Sequence, residues 1–389
     1  MRGTVAIALA TLLTVACGKA AAPPTIAATA TVAPPAAPPA STPTRPPTVT
    51  PPPSPMPTFT ATSLTAPSPG GATAPIAPAG ETASPRPTAT PIDPAAVNDP
   101  HTRDVVRPRA SRAAIVRAQV LLDRAHFSPG EIDAGYGDNL RRAIAAFQHA
   151  RQLRESGDVD DATWTALNAD TARVLVPYVL TPADVAGPFV PIPRRMMDKA
   201  KLDALPYSSL LEELGEKFHV RPALLGELNP GASIANAGDR ILVPNVARSV
   251  ACIVHEIVVS ASDSSLTVID DNGAVCARYP ATTGSRHDPL PIGTWEVKGI
   301  GHNPTFHYNP HLFWDAPPGD RATAIRPGPN NPVGVVWIDL SKEHYGIHGT
   351  PDPGKIGHTY SHGCIRLTNW DATELASMVQ PGTPATLKE

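Results

Sequence analysis

The distribution of proline limits which part of this chain can fold. Of the 48 prolines, 23 lie between residues 21 and 100, where they are interleaved with alanine and threonine. A segment of this composition cannot bury enough apolar surface to offset the entropy that is lost on ordering. The sequence therefore predicts that residues 17–104 form a disordered, semi-stiff tether with polyproline II character, and that the folded domains follow it.

The residues before the tether have the arrangement of an export signal. Arg2 precedes an apolar stretch that ends at Ala16, as in a secretory signal peptide covering residues 1–16. Small residues before Cys17 resemble the bacterial lipobox, although Thr14 stands where leucine is more common. The resemblance implies a lipidated Cys17 on an exported protein at the periplasmic or outer cell surface. A cleaved signal with an incidental cysteine is the alternative, and the membrane leaflet stays open.

Charge and hydropathy exclude two classes of protein. The formal net charge is -3, which argues against a nucleic-acid binder that relies on bulk positive charge. No apolar run approaches the ~20 residues that a membrane-spanning helix needs. Membrane attachment is therefore expected only through the lipid anchor.

A helical pattern begins at Arg112 and continues to about residue 168. The turn Asp133–Gly137 precedes a second helix, and Trp164 lies in a third. In order and spacing, residues 112–168 resemble the small three-helix peptidoglycan-binding domain. Ala134 and Asn139 depart from the usual pattern of that family. A generic helical bundle, or a copy that no longer binds, is the alternative.

Residues 205–246 resemble a LysM module, after a proline-rich connection over 170–204. The pattern predicts two helices, the second beginning at Pro222, then a glycine turn and a strand that ends at Pro244. The resemblance implies binding of glycans that contain N-acetylglucosamine. A structural wedge against the following domain is the alternative.

From residue 252 to 389 the hydrophobic period becomes that of strands. Short β-segments are separated by turns such as Asp271–Gly273, which predicts a β-rich sandwich or barrel-like domain. Near its end, Thr368 begins a capping box and a short helix, and a last strand follows. The predicted fold class is thus multidomain: a helical bundle, an α+β module and a β-rich domain.

A cluster of reactive side chains lies near the end of the chain. The thiol of Cys364 requires a base or a positive neighbour to attack, because a free thiol has a pKa of about 8.5. His348 is the expected base, whereas His362, which is so close in sequence that its ring is poorly placed to reach the sulfur, is expected to have a supporting role. Ser361 or a backbone carbonyl would orient His348. The N–H groups of Gly363 and Cys364 would form an oxyanion hole.

The segments His348–Gly349 and Ser361–Arg366 resemble the signature of the L,D-transpeptidase (YkuD-type) catalytic domain. The resemblance implies that Cys364 attacks the third residue of a peptidoglycan tetrapeptide stem, releasing D-alanine and forming a thioester. An amine of a second stem would give a 3–3 cross-link, water would make the enzyme an L,D-carboxypeptidase, and a protein lysine would attach that protein to the wall. The rival hypothesis is a non-catalytic wall-binding lipoprotein. No cofactor is expected.

Substrate contacts are also expected from this resemblance. Four residues in the family-like segments are predicted to bind substrate: Arg366, Gly349, Asn331 and Tyr345. Arg366 would hold a substrate carboxylate by a bidentate contact, or brace its loop through a buried ion pair.

Histidines and aromatic residues between 302 and 315 predict a flap beside the substrate cleft, or simple packing. His307 and His311 have helical spacing, but Pro304 and Pro310 disfavour a helix. Zinc held by His348, His362 and Cys364 is a less favoured alternative, and the sequence predicts no metal.

Cys252 and Cys276 are the remaining cysteines. Export favours disulfides, and these two residues bracket the first hairpin of the β-rich domain. A bridge between them and a pair of buried thiols are both compatible with the sequence.

Overall fold

The computed structural model describes residues 91–247 and 252–389. The predicted signal peptide, the lipidation site at Cys17 and most of the predicted tether lie outside these ranges. Of the helices in these two ranges, none has the length and apolar character that crossing a membrane requires.

The described residues form eight α-helices and twelve β-strands. The helices are α1 (Pro94–Asn98), α2 (Arg112–Arg124), α3 (Asp138–Ala150), α4 (Asp161–Leu167), α5 (Met196–Lys199), α6 (Leu210–Lys217), α7 (Pro222–Leu228) and α8 (Asn369–Met378). The strands are β1 (Leu175–Val179), β2 (Arg240–Pro244), β3 (Val254–Ser260), β4 (Ser265–Asp270), β5 (Val275–Pro280), β6 (Gly293–His302), β7 (Phe306–Tyr308), β8 (Thr323–Ile325), β9 (Val336–Leu340), β10 (Gly346–His348), β11 (Ile365–Arg366) and β12 (Pro384–Lys388).

The predicted tether is wrong for residues 91–104, because the structure describes these residues and they include helix α1. Asp93 caps helix α1 by accepting a hydrogen bond from the N–H of Ala95 at 2.9 Å. Val97 is fully buried, and the Asn98 side chain donates to the carbonyl of Leu175 at 3.1 Å. The Val97 side chain and the Asn98 amide thus hold this segment in place, although its composition resembles that of the predicted tether.

The predicted three-helix bundle is present as α2, α3 and α4. Ser111 caps α2 at its predicted start, and Asp160 caps α4. The rings of Phe127 and Phe147 meet edge to face at 5.5 Å in its core, and Trp164 is fully buried.

An α+β module, residues 175–244, follows the bundle. Strand β1 pairs antiparallel with β2, and helices α6 and α7 lie between them in sequence. The module begins thirty residues before the predicted position of 205, inside the predicted connection. Strand β1 was not predicted because Pro177, taken from the sequence alone, argues against a strand. Proline is tolerated here because both strands of a two-stranded sheet are edge strands.

The β-rich domain is built on one eight-stranded sheet. Its strand order is β11-β10-β9-β6-β12-β3-β4-β5, with parallel pairs at β10–β11 and β12–β3. Helix α8 begins at the predicted cap Thr368 and buries Leu375 against the sheet. The disulfide between Cys252 and Cys276 is present, with a Cα–Cα distance of 6.2 Å, and joins the chain before β3 to β5.

The bundle and the α+β module pack directly against the β-rich domain. The Ser128 hydroxyl donates to Asp371 at 2.9 Å, and the N–H of Arg278 donates to the carbonyl of His126 at 2.8 Å. His219 of the α+β module stacks on Trp370 with ring centroids 5.0 Å apart. These contacts hold the three parts as one body.

A buried carboxyl lies at this junction. Glu216 lines a cavity of about 340 Å³, together with Glu131, Glu212 and residues of the β-rich domain. The pKa of Glu216 is raised to about 8, chiefly by burial and also by neighbouring Glu212 and Glu131, while a hydrogen bond from Asn369 acts in the opposite direction.

This environment predicts how stability depends on pH. The folded state retains a proton on Glu216 that the unfolded chain releases above about pH 4.5, so stability falls as pH rises toward 8. Glu216→Gln removes this loss and keeps an acceptor for Asn369. We expect its melting temperature to exceed that of the wild type by at least about 3 °C at pH 9 and to equal it at pH 4. The exposed Glu343→Gln is the control; an equal gain there would contradict the assignment.

Candidate active site

The strand register places His348 and Cys364 on one face of the sheet. In the parallel pair β10–β11, Ile347 lies opposite Ile365 and His348 lies opposite Arg366. Both isoleucines are fully buried in the core. Because side chains alternate along strands, His348, Arg366 and Cys364 share the opposite face. Cys364 comes directly before β11, level with Gly346.

His348 is held by two neighbours. Its Nδ1 lies 2.7 Å from the carbonyl oxygen of Gly349, and its ring stacks on Trp337 at 5.4 Å. A carbonyl only accepts, so Nδ1 carries the proton and Nε2 is left as an acceptor. Of the two predicted ways to orient this ring, the backbone carbonyl is the one observed, and Ser361 has a different role.

The His348 ring is kept neutral. It is 4% exposed, and its pKa is lowered to about 3, chiefly by burial and also by the positive charge of Arg366, while the hydrogen bond to Gly349 acts in the opposite direction. A neutral imidazole at neutral pH is the form that accepts a proton.

Burial also keeps the Cys364 thiol protonated. It raises the pKa of the thiol, while a backbone hydrogen bond from Gly346 and the charge of Arg366 act in the opposite direction. The sulfur lies 3.7 Å from the carbonyl oxygen of His344. The pair is therefore a neutral thiol and a neutral imidazole, and the proton must transfer during the attack itself.

Ser361 braces the turn that presents Cys364. Its hydroxyl donates to the carbonyl of Cys364 at 2.6 Å and accepts from the N–H of Gly363 at 3.1 Å. Gly363 has a φ of 104°, a conformation that favours glycine. The prediction that the Gly363 N–H is free for an oxyanion is therefore corrected, because it is bonded to Ser361. Among the described residues, the Cys364 N–H has no such acceptor.

His362 contacts the predicted flap. Its Nε2 lies 2.8 Å from Oδ1 of Asp315, and its ring meets Phe313 edge to face at 4.9 Å. The expectation that His362 is not the base agrees with this contact.

Two of the predicted substrate contacts are corrected. The Asn331 side chain is fully buried and donates to the carbonyl of Arg326 at 2.8 Å while accepting from the N–H of Val333. It braces its own loop. At Gly349, a Cβ would lie 2.2 Å from Oδ1 of Asn369, so this glycine is required for packing.

Arg366 and Tyr345 do lie at the site. Arg366 forms no ion pair with any carboxylate of the described residues, so the alternative of a buried brace is not observed. A Cβ on Gly363 would lie 2.8 Å from Cε1 of Tyr345, which places this ring against the turn of Cys364. Arg366 is left as a cation beside the nucleophile.

No group of three or more metal-ligating side chains occurs within the part of the chain that the structure covers. His348 and His362, two members of the weighed zinc site, have other partners: the Gly349 carbonyl and the Asp315 carboxylate.

Two residues that contact the histidines of the site were not predicted from the sequence. Trp337 lies opposite His348 in the β9–β10 register and stacks on it. The alternation of buried Val336, Ile338 and Leu340 already placed Trp337 on the other face. Asp315, the partner of His362, had no local signal, because the two are 47 positions apart.

Comparison with known proteins gives the family. The model of the L,D-transpeptidase catalytic domain (YkuD) matches residues 255–387, and that of a putative peptidoglycan binding domain matches residues 111–167. The putative L,D-transpeptidase YkuD of Bacillus licheniformis is 31% identical over 175 residues, which cover 44% of this chain and 90% of that protein. The chain belongs to the L,D-transpeptidase family.

A second relative agrees with this assignment. The putative L,D-transpeptidase YkuD of Bacillus subtilis is 32% identical over 178 residues, covering 46% of this chain and 92% of its own. Among solved structures, L,D-transpeptidase 3 from Mycobacterium tuberculosis covers 40% of this chain and 76% of its own, with 18% identity and a TM-score of 0.29. The enzyme is thus a peptidoglycan-modifying transpeptidase of the cell envelope with a peptidoglycan-binding domain.

Proposed function

We propose that the enzyme forms a thioester between Cys364 and the third residue of a tetrapeptide stem, and then transfers that acyl group to an amine of a second stem. The product is a 3–3 cross-link. The observation that carries the proposal is the neutral His348, whose Nε2 is left to accept a proton on the same sheet face as the protonated Cys364.

The first half-reaction uses this pair as nucleophile and base. The sulfur bonds to the stem carbonyl carbon as the thiol proton moves to Nε2 of His348. The tetrahedral intermediate then breaks its C–N bond, and the proton on His348 passes to the departing amine of D-alanine. In the second half-reaction the acceptor amine attacks the thioester and gives its proton to His348. The C–S bond then breaks, and the departing sulfur takes the proton back from His348, which restores the neutral thiol and imidazole.

Two groups are placed to stabilise charge during these steps. The N–H of Cys364 is the proposed oxyanion donor. Arg366 is proposed to bind the stem carboxylate rather than brace the loop, which the absence of an ion pair to any described carboxylate supports.

Purified muropeptides test the proposal directly. With tetrapeptide muropeptides we expect release of D-alanine, a transient mass increase of the protein by the tripeptide acyl group, and a cross-linked dimer. Tripeptide muropeptides are the control, since they have no D-alanine to release. Failure to release D-alanine would overturn the proposal, and release with only free tripeptide product would make the enzyme an L,D-carboxypeptidase. Transfer only to an added protein lysine would make it a protein-attachment enzyme.

The α+β module is proposed to be a LysM-type unit that binds glycan. The helices α6 and α7 followed by strand β2, which pairs antiparallel with β1, support this. Cys17 is proposed to carry a lipid that holds the exported enzyme at the membrane.

Arg366→Lys tests the proposed carboxylate contact. Lysine keeps the charge but not the planar pair of donors, so we expect the KM for the stem peptide to rise about tenfold with a smaller change in kcat. Steady-state kinetics of D-alanine release measures both. Asp352 acts electrostatically on Arg366 without forming an ion pair with it, so Asp352→Asn serves as the control and is expected to leave KM within about twofold. An unchanged KM in Arg366→Lys would contradict the assignment.

A further inference from the structure

A long insertion in the α+β module reaches the active-site side of the β-rich domain. Between β1 and α6 the chain leaves the module, and we call residues 188–207 the strap. We call residues 306–325, which include the paired strands β7 and β8, the flap hairpin.

The strap and the flap hairpin share a small hydrophobic core of their own. Leu205 of the strap is fully buried against Tyr308 and Ile325 of the flap hairpin. Half-buried apolar side chains from both sides complete it: Ile192, Met196, Ala200 and Leu202 from the strap, and Phe306 and Phe313 from the flap hairpin. Neither segment could bury these side chains without the other.

Polar contacts hold the strap to residues 327–330, which follow the flap hairpin in the chain. The N–H of Leu205 donates to the carbonyl of Pro327 at 2.9 Å, and the N–H of Asn330 donates to the carbonyl of Leu205 at 3.1 Å. The Lys199 ammonium, which is buried, donates to the carbonyl of Asn330 at 3.0 Å. A Cβ on Gly328 would lie 2.1 Å from the Leu205 carbonyl oxygen, so the two backbones are in direct contact.

An ion pair joins the two segments at their outer edge. Arg195 lies 3.3 Å from Asp320, whose side chain is almost fully buried and also accepts from the Tyr308 hydroxyl at 3.0 Å. The strap therefore contacts the flap hairpin both through its core and at its far loop.

The flap hairpin in turn contacts the turn that carries Cys364. Phe313 meets His362 edge to face, Trp314 lies 6.0 Å from the same ring, and Asp315 is bonded to it. His362 is two residues before Cys364 in the chain. A continuous series of contacts thus runs from the strap through the flap hairpin to the nucleophile.

We propose that the strap is a positioning element: it holds the flap hairpin beside Cys364 in the geometry that binds the stem peptide. The α+β module thereby acts on the reaction through its insertion, besides any contact that it makes with glycan. The inference rests on the proposed function for its kinetic part. Its structural part, control of the flap hairpin by the strap, stands separately.

Met196→Ala in the full chain is the test, because it removes half-buried strap atoms without touching the catalytic residues. Hydrogen exchange of peptides covering 306–325 is expected to become at least about fivefold faster. The KM for tetrapeptide stems is expected to rise about tenfold, with kcat within about threefold. Alkylation of Cys364 by iodoacetamide should stay within about twofold, since the thiol and His348 are unchanged.

Matched variants separate positioning from general destabilisation. Leu210→Ala removes a half-buried apolar side chain of the same module that packs in another cluster, and is expected to leave exchange in the flap hairpin and KM unchanged. Met196→Leu keeps a large apolar side chain, so it should leave hydrogen exchange in the flap hairpin and KM at their wild-type values. If Met196→Ala does not fold, Arg195→Gln, at an exposed position, tests the same junction through Asp320 with a smaller change in the same direction.

The outcomes are distinct. Unchanged exchange in the flap hairpin, or an equal effect from Leu210→Ala, overturns the proposal. Faster exchange with an unchanged KM overturns the positioning role. If the wild type releases no D-alanine, the proposed function fails, while the exchange measurement still decides whether the strap holds the flap hairpin.

Discussion

Replacing Cys364 with alanine is expected to lower D-alanine release from tetrapeptide muropeptides by at least about 10⁴-fold. The thiol is the only proposed bond-forming group, so no acyl intermediate can form without it. Mass spectrometry of the intact protein should show the tripeptide acyl adduct on the wild type and none on the variant.

The variant should fold normally. The sulfur takes part in two weak backbone contacts, with the His344 carbonyl at 3.7 Å and with the N–H of Gly346, so we expect a melting temperature within about 2 °C of the wild type. Cys364→Ser keeps the size of the side chain and should also be inactive, because a hydroxyl is far less acidic than a thiol beside the same imidazole. Equal D-alanine release by wild type and Cys364→Ala would remove the enzyme mechanism altogether.

Several features of the site and its surroundings could be predicted from residues that are close together in the sequence. The spacing of His348 and Cys364 predicted base and nucleophile, and both lie on one sheet face. The capping box at Thr368 and the start of α2 after Ser111 were also found where expected, because capping depends on residues only a few positions apart.

The errors have a common cause, which is that the deciding contacts are distant in sequence. Asn331 was placed in the substrate site on a local motif, but carbonyls of its own loop take its amide. Strand β1 depends on pairing with β2, some sixty residues later in the chain. Pro177 argued against a strand when only the neighbouring residues were considered. The order at residues 91–98 likewise depends on Leu175. No local pattern reports these partners.

Removing the imidazole of His348 is expected to change the pH dependence as well as the rate. For His348→Gln we expect kcat/KM at pH 7 to fall about 10²–10⁴-fold, the range for loss of a general base. Because burial raises the pKa of Cys364, the variant must react through the scarce free thiolate, and its rate should climb about tenfold per pH unit up to the pKa of the thiol.

The wild type should behave differently, and this difference identifies His348 as the base. Its pKa of about 3 keeps the ring neutral, so kcat/KM should stay nearly level from pH 8 down to pH 5, with no decline near 6.5. The lowered pKa of His348 also affects the stability of the fold. Below about pH 6.5 the unfolded chain binds a proton on His348 that the folded state does not bind, so the free energy of unfolding decreases as pH falls. Unfolding must therefore be followed alongside activity. The exposed His255→Gln is the control and should match the wild type; a wild-type profile with a midpoint near 6.5 in folded protein would contradict the neutral pair.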